Sequence, residues 1–270
     1  MSRLTLKLRN PLSQRIDVSA ISPDRLAGVP VDSISRLSMY VGKQKVELGE
    51  LFSVNGSDSE NIVFAGGANL DRVGQGMSHG SVRVDGDAGA YAGAEMRGGE
   101  VVVSGSVAML AACGMRGGEL RVGGNAGDFL GGAMVGEMRG MRGGMVTVAG
   151  NAGDRIGDRM RRGVILIAGD AGQYCASRMI AGTIAVSGDT GAGAGYGMTR
   201  GTLLCSRAPE RMLATFNECG TFELGFLKLM TRQWTKLGAP FDQYAARPPR
   251  VQRWMGDLGS GGKGEILVWR

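Results

Sequence analysis

The segment Ala94–Gly124, AEMRGGEVVVSGSVAMLAACGMRGGELRVGG, states one phrase twice. Met96-Arg97-Gly98-Gly99-Glu100 returns 19 residues later as Met115-Arg116-Gly117-Gly118-Glu119. A short apolar run and a glycine follow each copy. Methionine carries the register outward in both directions, at Met77, Met96, Met115, Met141, Met160, Met179 and Met198. The intervals are 19 residues, except for one of 26 between Met115 and Met141. Met134 stands where an uninterrupted register would place it, so residues 134–140, MVGEMRG, read as a seven-residue insertion in one repeat.

Glycine lies three residues after every register methionine, from Gly80 to Gly201. Two alternating apolar positions follow, among them Val101 and Val103, Leu120 and Val122, Ile165 and Ile167. Alternation over so few residues, rich in β-branched types, signals a short strand with one face buried. A second glycine comes next (Gly105, Gly124, Gly150, Gly169, Gly188), usually with Asp or Asn and then Ala-Gly behind it. These read as turn residues, since Gly and Asn tolerate positive φ. A weaker forerunner of the repeat runs from Asn61 to Gly76.

A period of 19 residues with one strand and one glycine turn points to a solenoid. Helical repeats would show apolar spacing near 3.6 residues, which is absent, and a propeller blade needs about 40 residues. The expected fold is therefore an all-β solenoid, a parallel β-helix with 19-residue coils, equivalent residues of successive coils lying about 4.8 Å apart. One coil cannot bury enough apolar surface to offset the ordering of its chain, so neighbours must share hydrogen bonds and core. The methionine column is then a core ladder of flexible fillers. Residues 1–57 are expected to form N-terminal strands and a cap. Residues 58–206 form about seven to eight coils. Residues 207–270 form a C-terminal cap, with helix-like spacing after Pro209, a glycine loop and a final strand. Capping follows from the exposed strand edges and core at the ends of any solenoid.

Glycine makes up 48 of the 270 residues, more than twice its usual share of about 7%. The glycines do not recur at every third position, which excludes collagen, and 43% hydrophobic residues favour a packed core over disorder. The net charge of +6 favours acidic partners. Cys113, Cys175, Cys205 and Cys219 form no CxxC and His79 is the single histidine, so no zinc site is expected. The cysteines read as reduced thiols of a cytosolic protein. MSRLTLKLRN lacks a signal-peptide core, and no run approaches the roughly 20 apolar residues of a membrane span. A cytoplasmic location is the expectation.

Motifs for chemistry fail one by one. GDLGSGGKGE is not a P-loop: Asp257 stands where its first glycine is needed, and Gly264 where its hydroxyl is needed. GAGAGYG, residues 191–197, resembles a dinucleotide fingerprint only loosely and falls at the turn phase of a repeat. His79 reads as a turn residue with no triad partners. The carboxylate pairs Asp154 and Asp158, Asp85 and Asp87 read as turn formers. No catalytic residue and no metal ligand is expected in this chain.

One constellation stands out. The position after the register methionine is Arg97, Arg116, Arg142 and Arg161 in successive repeats, with Arg139, Arg159, Arg162, Arg178 and Arg200 at neighbouring phases. Glu100 and Glu119 are placed to offset the first two. A column of guanidinium groups suits an acidic partner surface or an extended polyanion, because arginine holds carboxylates and phosphates through paired hydrogen bonds. The competing reading is a solvated face. Nucleic acid is disfavoured by the lack of interleaved aromatic residues.

These features together resemble a known family, the C subunits of formylmethanofuran dehydrogenase and, more closely, the C subunit of the bacterial formyltransferase/hydrolase complex. The resemblance rests on the recurrent MRGG-x-[VL]-x-V-x-G-x-AG phrase, GEMRGMRGG in mid-chain, VELGELFSVNG before the repeats and WMGDLGSGGKGEILV near the end, and it covers nearly the whole chain. The repeat also resembles the C-terminal domain of the glutamate synthase large subunit, which implies a right-handed β-helix. The resemblance implies a complex in which the A, B and D subunits are the partners. It implies formyl transfer by the D subunit from formyltetrahydromethanopterin to a methanofuran-type carrier, and hydrolysis to formate by a zinc-bearing A subunit, in formaldehyde oxidation. The C subunit is implied to be a scaffold, with Arg97, Arg116, Arg142 and Arg161 as candidate contacts to the carrier's glutamyl tail or to a partner. The alternative is the C subunit of a molybdenum- or tungsten-containing formylmethanofuran dehydrogenase reducing CO2. The use of 25 arginines against six lysines favours the bacterial complex. A stand-alone β-helix enzyme, such as a polysaccharide lyase or acyltransferase, would need catalysts that this sequence does not offer. A detached glutamate-synthase-like domain fits less well with the insertion and the GDLGSGGKGEI tail.

Overall fold

The alternating apolar pairs form strands, and each strand pairs in parallel with its counterpart in the next repeat. In the computed structural model, which describes residues 2–10, 13–66 and 69–270, the chain is mostly β and is organised around a 13-stranded sheet with few helices. Met1, Pro11 and Leu12 of the N-terminal segment, and Gly67 and Ala68 of the forerunner repeat, lie outside the described residues. Strands Asp58–Ala65, Ser81–Asp85, Glu100–Val103, Glu119–Val122, Arg142–Val148, Arg162–Ile167, Thr183–Val186 and Arg200–Cys205 follow one another across the sheet. Ser81 faces Glu100 and Glu100 faces Glu119, while Val164 faces Thr183 and Thr183 faces Thr202. Leu120 faces Val146, so the longer interval is absorbed without a break in pairing.

Both ends are extended by chain from outside the repeats. Arg3–Leu8 pairs in parallel with Asp58–Ala65, and Phe52–Asn55 runs antiparallel beyond it. At the other end Lys263–Trp269 adds in parallel to Arg200–Cys205, followed by the antiparallel strands Arg250–Gly256 and Asn217–Glu223. A second, four-stranded sheet of residues 16–17, 38–41, 44–47 and 70–71 flanks the first repeats.

The register methionines form one interior column, each with 0% exposure, beside the buried strand pairs. Two further columns stand beside it, the second carrying the alanine of the recurrent Ala-Gly phrase. Val73, Ala92, Ala111, Leu130, Ile156, Cys175 and Ala194 are all buried at one phase. Ala88, Val107, Ala126, Ala152, Ala171 and Thr190 form a line of parallel bridges.

The turn after the strand works differently from its sequence-based expectation. Among Gly86, Gly105, Gly124, Gly150, Gly169 and Gly188, positive φ occurs only at Gly86. Gly105, Gly124, Gly150, Gly169 and Gly188 are required by close approach: a Cβ on Gly169 would lie 2.1 Å from Asn151 Oδ1. The Asp and Asn residues beside them cap the next repeat. Asn125 Oδ1 accepts the Asn151 N–H at 2.8 Å, Asn151 Oδ1 that of Asp170 at 2.9 Å, and Asp170 Oδ1 that of Asp189 at 2.8 Å. Positive φ falls instead on the glycine after each register methionine, such as Gly144 at +88°. It also falls on bulky residues one repeat apart, with φ from 57° to 63° at Tyr91, Leu110, Phe129, Arg155 and Tyr174. Side chains rarely adopt this region, and it persists only where surrounding structure fixes it, as the stacked repeats do here.

The insertion leaves the main path and folds outward. Val135 and Met138 are 87% and 65% exposed, while Met134 packs on Ala94, Leu110 and Cys113, outside the interior. The C-terminal helix Gly225–Trp234 lies against the outer face of the later strands, in a cluster of Leu227, Trp234, Tyr244 and Trp269 on Leu166, Ala185 and Leu204. This contact explains why the outward strand position changes from Arg83 and Arg121 in early repeats to Leu166, Ala185 and Leu204 in later ones.

Met141→Ala is expected to lower unfolding stability by about 2–5 kcal/mol through an interior cavity. Asn151→Ala, which removes one cap from the ladder, is expected to lower it by about 0.5–1.5 kcal/mol. Urea denaturation of the two variants checks the ranking, and a methionine variant no weaker than the asparagine variant would contradict the interior column.

Candidate functional site

The stacking of repeats decides where the four arginines sit. The Arg97 N–H donates to the Met77 carbonyl at 2.8 Å, Arg116 to Met96 at 2.7 Å, Arg142 to Met115 at 2.6 Å and Arg161 to Met141 at 2.8 Å. All four therefore occupy one position of four successive layers. The same bond continues from Ile180 to Met160 and from Thr199 to Met179, so the charged column ends at Ile180. A register shift also sets Arg142 opposite Arg162, which widens the column by one cation.

The side chains differ in environment. Arg97, Arg116 and Arg161 are exposed, and none has an ion pair among the described residues. Arg142 is half-buried, and its Nε is buried with no hydrogen-bond partner. Glu100 and Glu119 do not serve this column. Arg121 takes both, at 3.2 Å to Glu100 and 2.9 Å to Glu119, holding the latter with two hydrogen bonds. The physical reason is phase: Arg121 lies on the same strand face as the two glutamates, two residues from Glu119, whereas Arg97 and Arg116 lie before their strands. The exposed guanidinium groups of Arg97, Arg116 and Arg161 form a donor set suited to carboxylates or phosphates.

The remaining candidates resolve into structural roles. His79 Nδ1 lies 3.0 Å from Glu60 Oε2 and its Nε2 lies 3.7 Å from Asp24 Oδ1. The hydrogen bond to Glu60 raises its pKa. The neighbouring Ser78 donates its hydroxyl to Asp24, not to the histidine, so no nucleophile–base pair forms. Cys113, Cys175 and Cys205 are buried, and burial pushes the thiols of Cys113 and Cys205 up to about 12. Asp158, one of the expected turn formers, is buried and held by Arg178 at 2.8 and 2.7 Å and by the Ser177 hydroxyl at 2.8 Å. Among the described residues, no group of three His, Cys, Asp or Glu side chains is placed to hold a metal. No helix is long and apolar enough to cross a membrane.

The glycine loop at the C-terminus holds its own anion. The Asp257 carboxylate accepts the N–H groups of Gly197 and Gly259, each at 2.9 Å, and a hydrogen bond from Thr215. Burial opposes ionisation, but these donors prevail and hold the carboxyl below its ordinary pKa. The loop thereby ties the end of the chain to the last repeat.

Mostly β structure, a stack of short repeats and a cationic column define a repeat-built β protein. No family model matches the chain. A segment of 86 residues is 42% identical to the C subunit of the formyltransferase/hydrolase complex Fhc from Methylorubrum extorquens, covering 32% of this chain and 32% of that protein. A segment of 100 residues is 36% identical to the C subunit of the tungsten-containing formylmethanofuran dehydrogenase 2 of Methanothermobacter marburgensis, covering 35% of this chain and 37% of that protein. These matches span about a third of the curated relatives' length. The structural likeness is broader. A chain in the crystal structure of the formyltransferase/hydrolase complex (FhcABCD) from Methylorubrum extorquens, in complex with methylofuran, superposes with a TM-score of 0.91. It is 40% identical, and the alignment covers 98% of this chain and 99% of that one. The chain belongs to the family of C subunits found in the formyltransferase/hydrolase complex and in formylmethanofuran dehydrogenase.

The depressed pKa of Asp257 makes a pH prediction. A carboxyl held lower in the folded state contributes stability above its unfolded pKa, and that contribution is lost as pH falls through the folded value. Asp257→Asn is expected to melt lower than wild type at neutral pH and to lose less stability on acidification below about pH 4. Thermal melts across that range check it, and parallel acid curves for the two proteins would remove the assignment.

Proposed function

We propose that this chain is the non-catalytic C subunit of a formyltransferase/hydrolase complex, a scaffold on which the A, B and D subunits assemble. The complex moves a formyl group from formyltetrahydromethanopterin to a methanofuran-type carrier and releases formate in formaldehyde oxidation, with zinc in the A subunit. The observation that carries this reading is the likeness, at 40% identity over 98% of the chain, to a chain of a complex crystallised with methylofuran. In this reading the stack is a right-handed parallel β-helix of 19-residue coils spanning residues 58–206. Residues 1–57 and 207–270 cap it, and the protein works in the cytoplasm.

Within that assembly the column Arg97, Arg116, Arg142 and Arg161 contacts the acidic tail of the carrier or an acidic partner surface. Support comes from the three exposed guanidinium groups of Arg97, Arg116 and Arg161, which have no ion pairs among the described residues. A glutamyl tail is a string of carboxylates, and the column offers a string of matching donors. The carrier supplies the formyl-accepting amine; the residues of this chain only bind and orient its tail.

Purification of the native complex through a tag on this chain tests the scaffold. Three partners with zinc and without molybdenum or tungsten are expected. A molybdenum or tungsten pterin would move the chain to the CO2-reducing dehydrogenase, and recovery of the chain alone would overturn the scaffold. Replacement of all four column arginines by alanine is expected to weaken carrier retention by about tenfold or more while the complex stays assembled. Unchanged retention in an intact complex would remove the column from carrier binding.

A further inference from the structure

The left-handed column on the turn side of the repeats ends in Phe129, Arg155, Tyr174 and Gly193. Stacking brings these residues side by side. The Arg155 guanidinium lies 4.8 Å from the centre of the Tyr174 ring and 6.0 Å from that of Phe129. Tyr174 meets Tyr196 edge to face, with centroids 6.1 Å apart and planes at 84°. Gly193 leaves room for this arrangement, since a Cβ there would lie 2.7 Å from Tyr174 Cδ1. The motif GAGAGYG, whose glycines no dinucleotide reading explains, thus supplies both Gly193 and Tyr196.

The chain leaving the last repeat crosses beside these rings and closes a groove of about 620 Å³, lined by Arg155, Tyr174, Tyr196, Arg211, Met212 and Leu213. That volume falls within the range of small-molecule sites, about 300–1,000 Å³. Arg155 and Arg211 are the charged residues of the lining, and neither has an ion pair among the described residues. The adjacent Asp154 directs its carboxylate to the Gln173 N–H at 2.7 Å. Tyr196 is 54% exposed.

We propose that this groove binds a flat ring tethered to an anion, with the ring against Tyr174 and Tyr196 and the anion held by Arg155 and Arg211. A neutral ring would leave Arg211 and Arg155 without a counter-anion, and a simple anion would leave the tyrosine wall unused. Aromatic edge and face contacts hold the ring, and charge-assisted hydrogen bonds hold the anion. The groove lies at a different phase of the repeat from the arginine column, and the inference does not rest on the carrier reading.

Isothermal titration of the 270-residue chain with 4-hydroxyphenylacetate and with phenyl phosphate tests it, against acetate, inorganic phosphate and 4-methylphenol. At least one ring-bearing anion is expected to bind with a Kd of about 1 mM or tighter. It is expected to bind at least about tenfold tighter than its ringless counterpart and than the neutral ring. The double variant Arg155→Ala/Arg211→Ala is expected to lose that advantage while its melting temperature is retained. Arg211→Glu, at an exposed side chain, gives the same readout should the double variant fail to fold. Equal binding of ring-bearing and ringless anions, no binding of either, or affinity unchanged in Arg211→Glu would each overturn the proposal.

Discussion

The structure depends on one constraint, the fixed parallel register by which each repeat hands its backbone hydrogen bonds to the same position of the next. Every residue then lies beside its own counterpart, about 4.8 Å away. A position tolerates only what can stack on itself. Methionine and β-branched residues satisfy this inside, where like packs on like. Asparagine and aspartate satisfy it at the turn, because each side-chain oxygen takes an amide of the following layer. Glycine satisfies it where the next layer comes within the reach of a Cβ.

The same constraint makes charge conspicuous. Like charges stacked at strand spacing repel, so a charged column persists only with counter-ions or with something to bind. The glutamates at positions 100 and 119 are relieved by Arg121, which reaches both. The four column arginines have no such relief from within the chain among the described residues. Their arrangement is a property of the surface that the repeat presents, and the shared fold with a chain of the formyltransferase/hydrolase complex gives that surface a context.

The ends of the stack show how the non-repeating chain is used. Arg3–Leu8 and Lys263–Trp269 each add a strand in the parallel register, so that the first and last repeats do not present bare edges there. The C-terminal helix covers the outer face of the later strands, which is why those strands are apolar on both sides. The early strands keep arginine outside and remain open to solvent.

The strands, the interior methionine column, the insertion and the alignment of the arginines were all legible in the sequence. Each follows from periodicity, and a repeat of fixed length repeats its geometry. The partner of Glu100 and Glu119 was misassigned, because Arg121 shares their strand face whereas Arg116, three residues before Glu119, precedes the strand. The basis of the turn glycines was not legible, because it lies in contacts with the layer beneath and not in their own φ. The ring-lined groove was hidden for a further reason. Tyr174 and Tyr196 are 22 residues apart and out of phase, and Arg211 lies beyond the last repeat. The sequence by itself determined what stacks on what, because stacking is set by spacing along the chain. Only the tertiary structure decided what meets across phases and at the ends, because those contacts depend on how the chain turns and where the non-repeating segments pack.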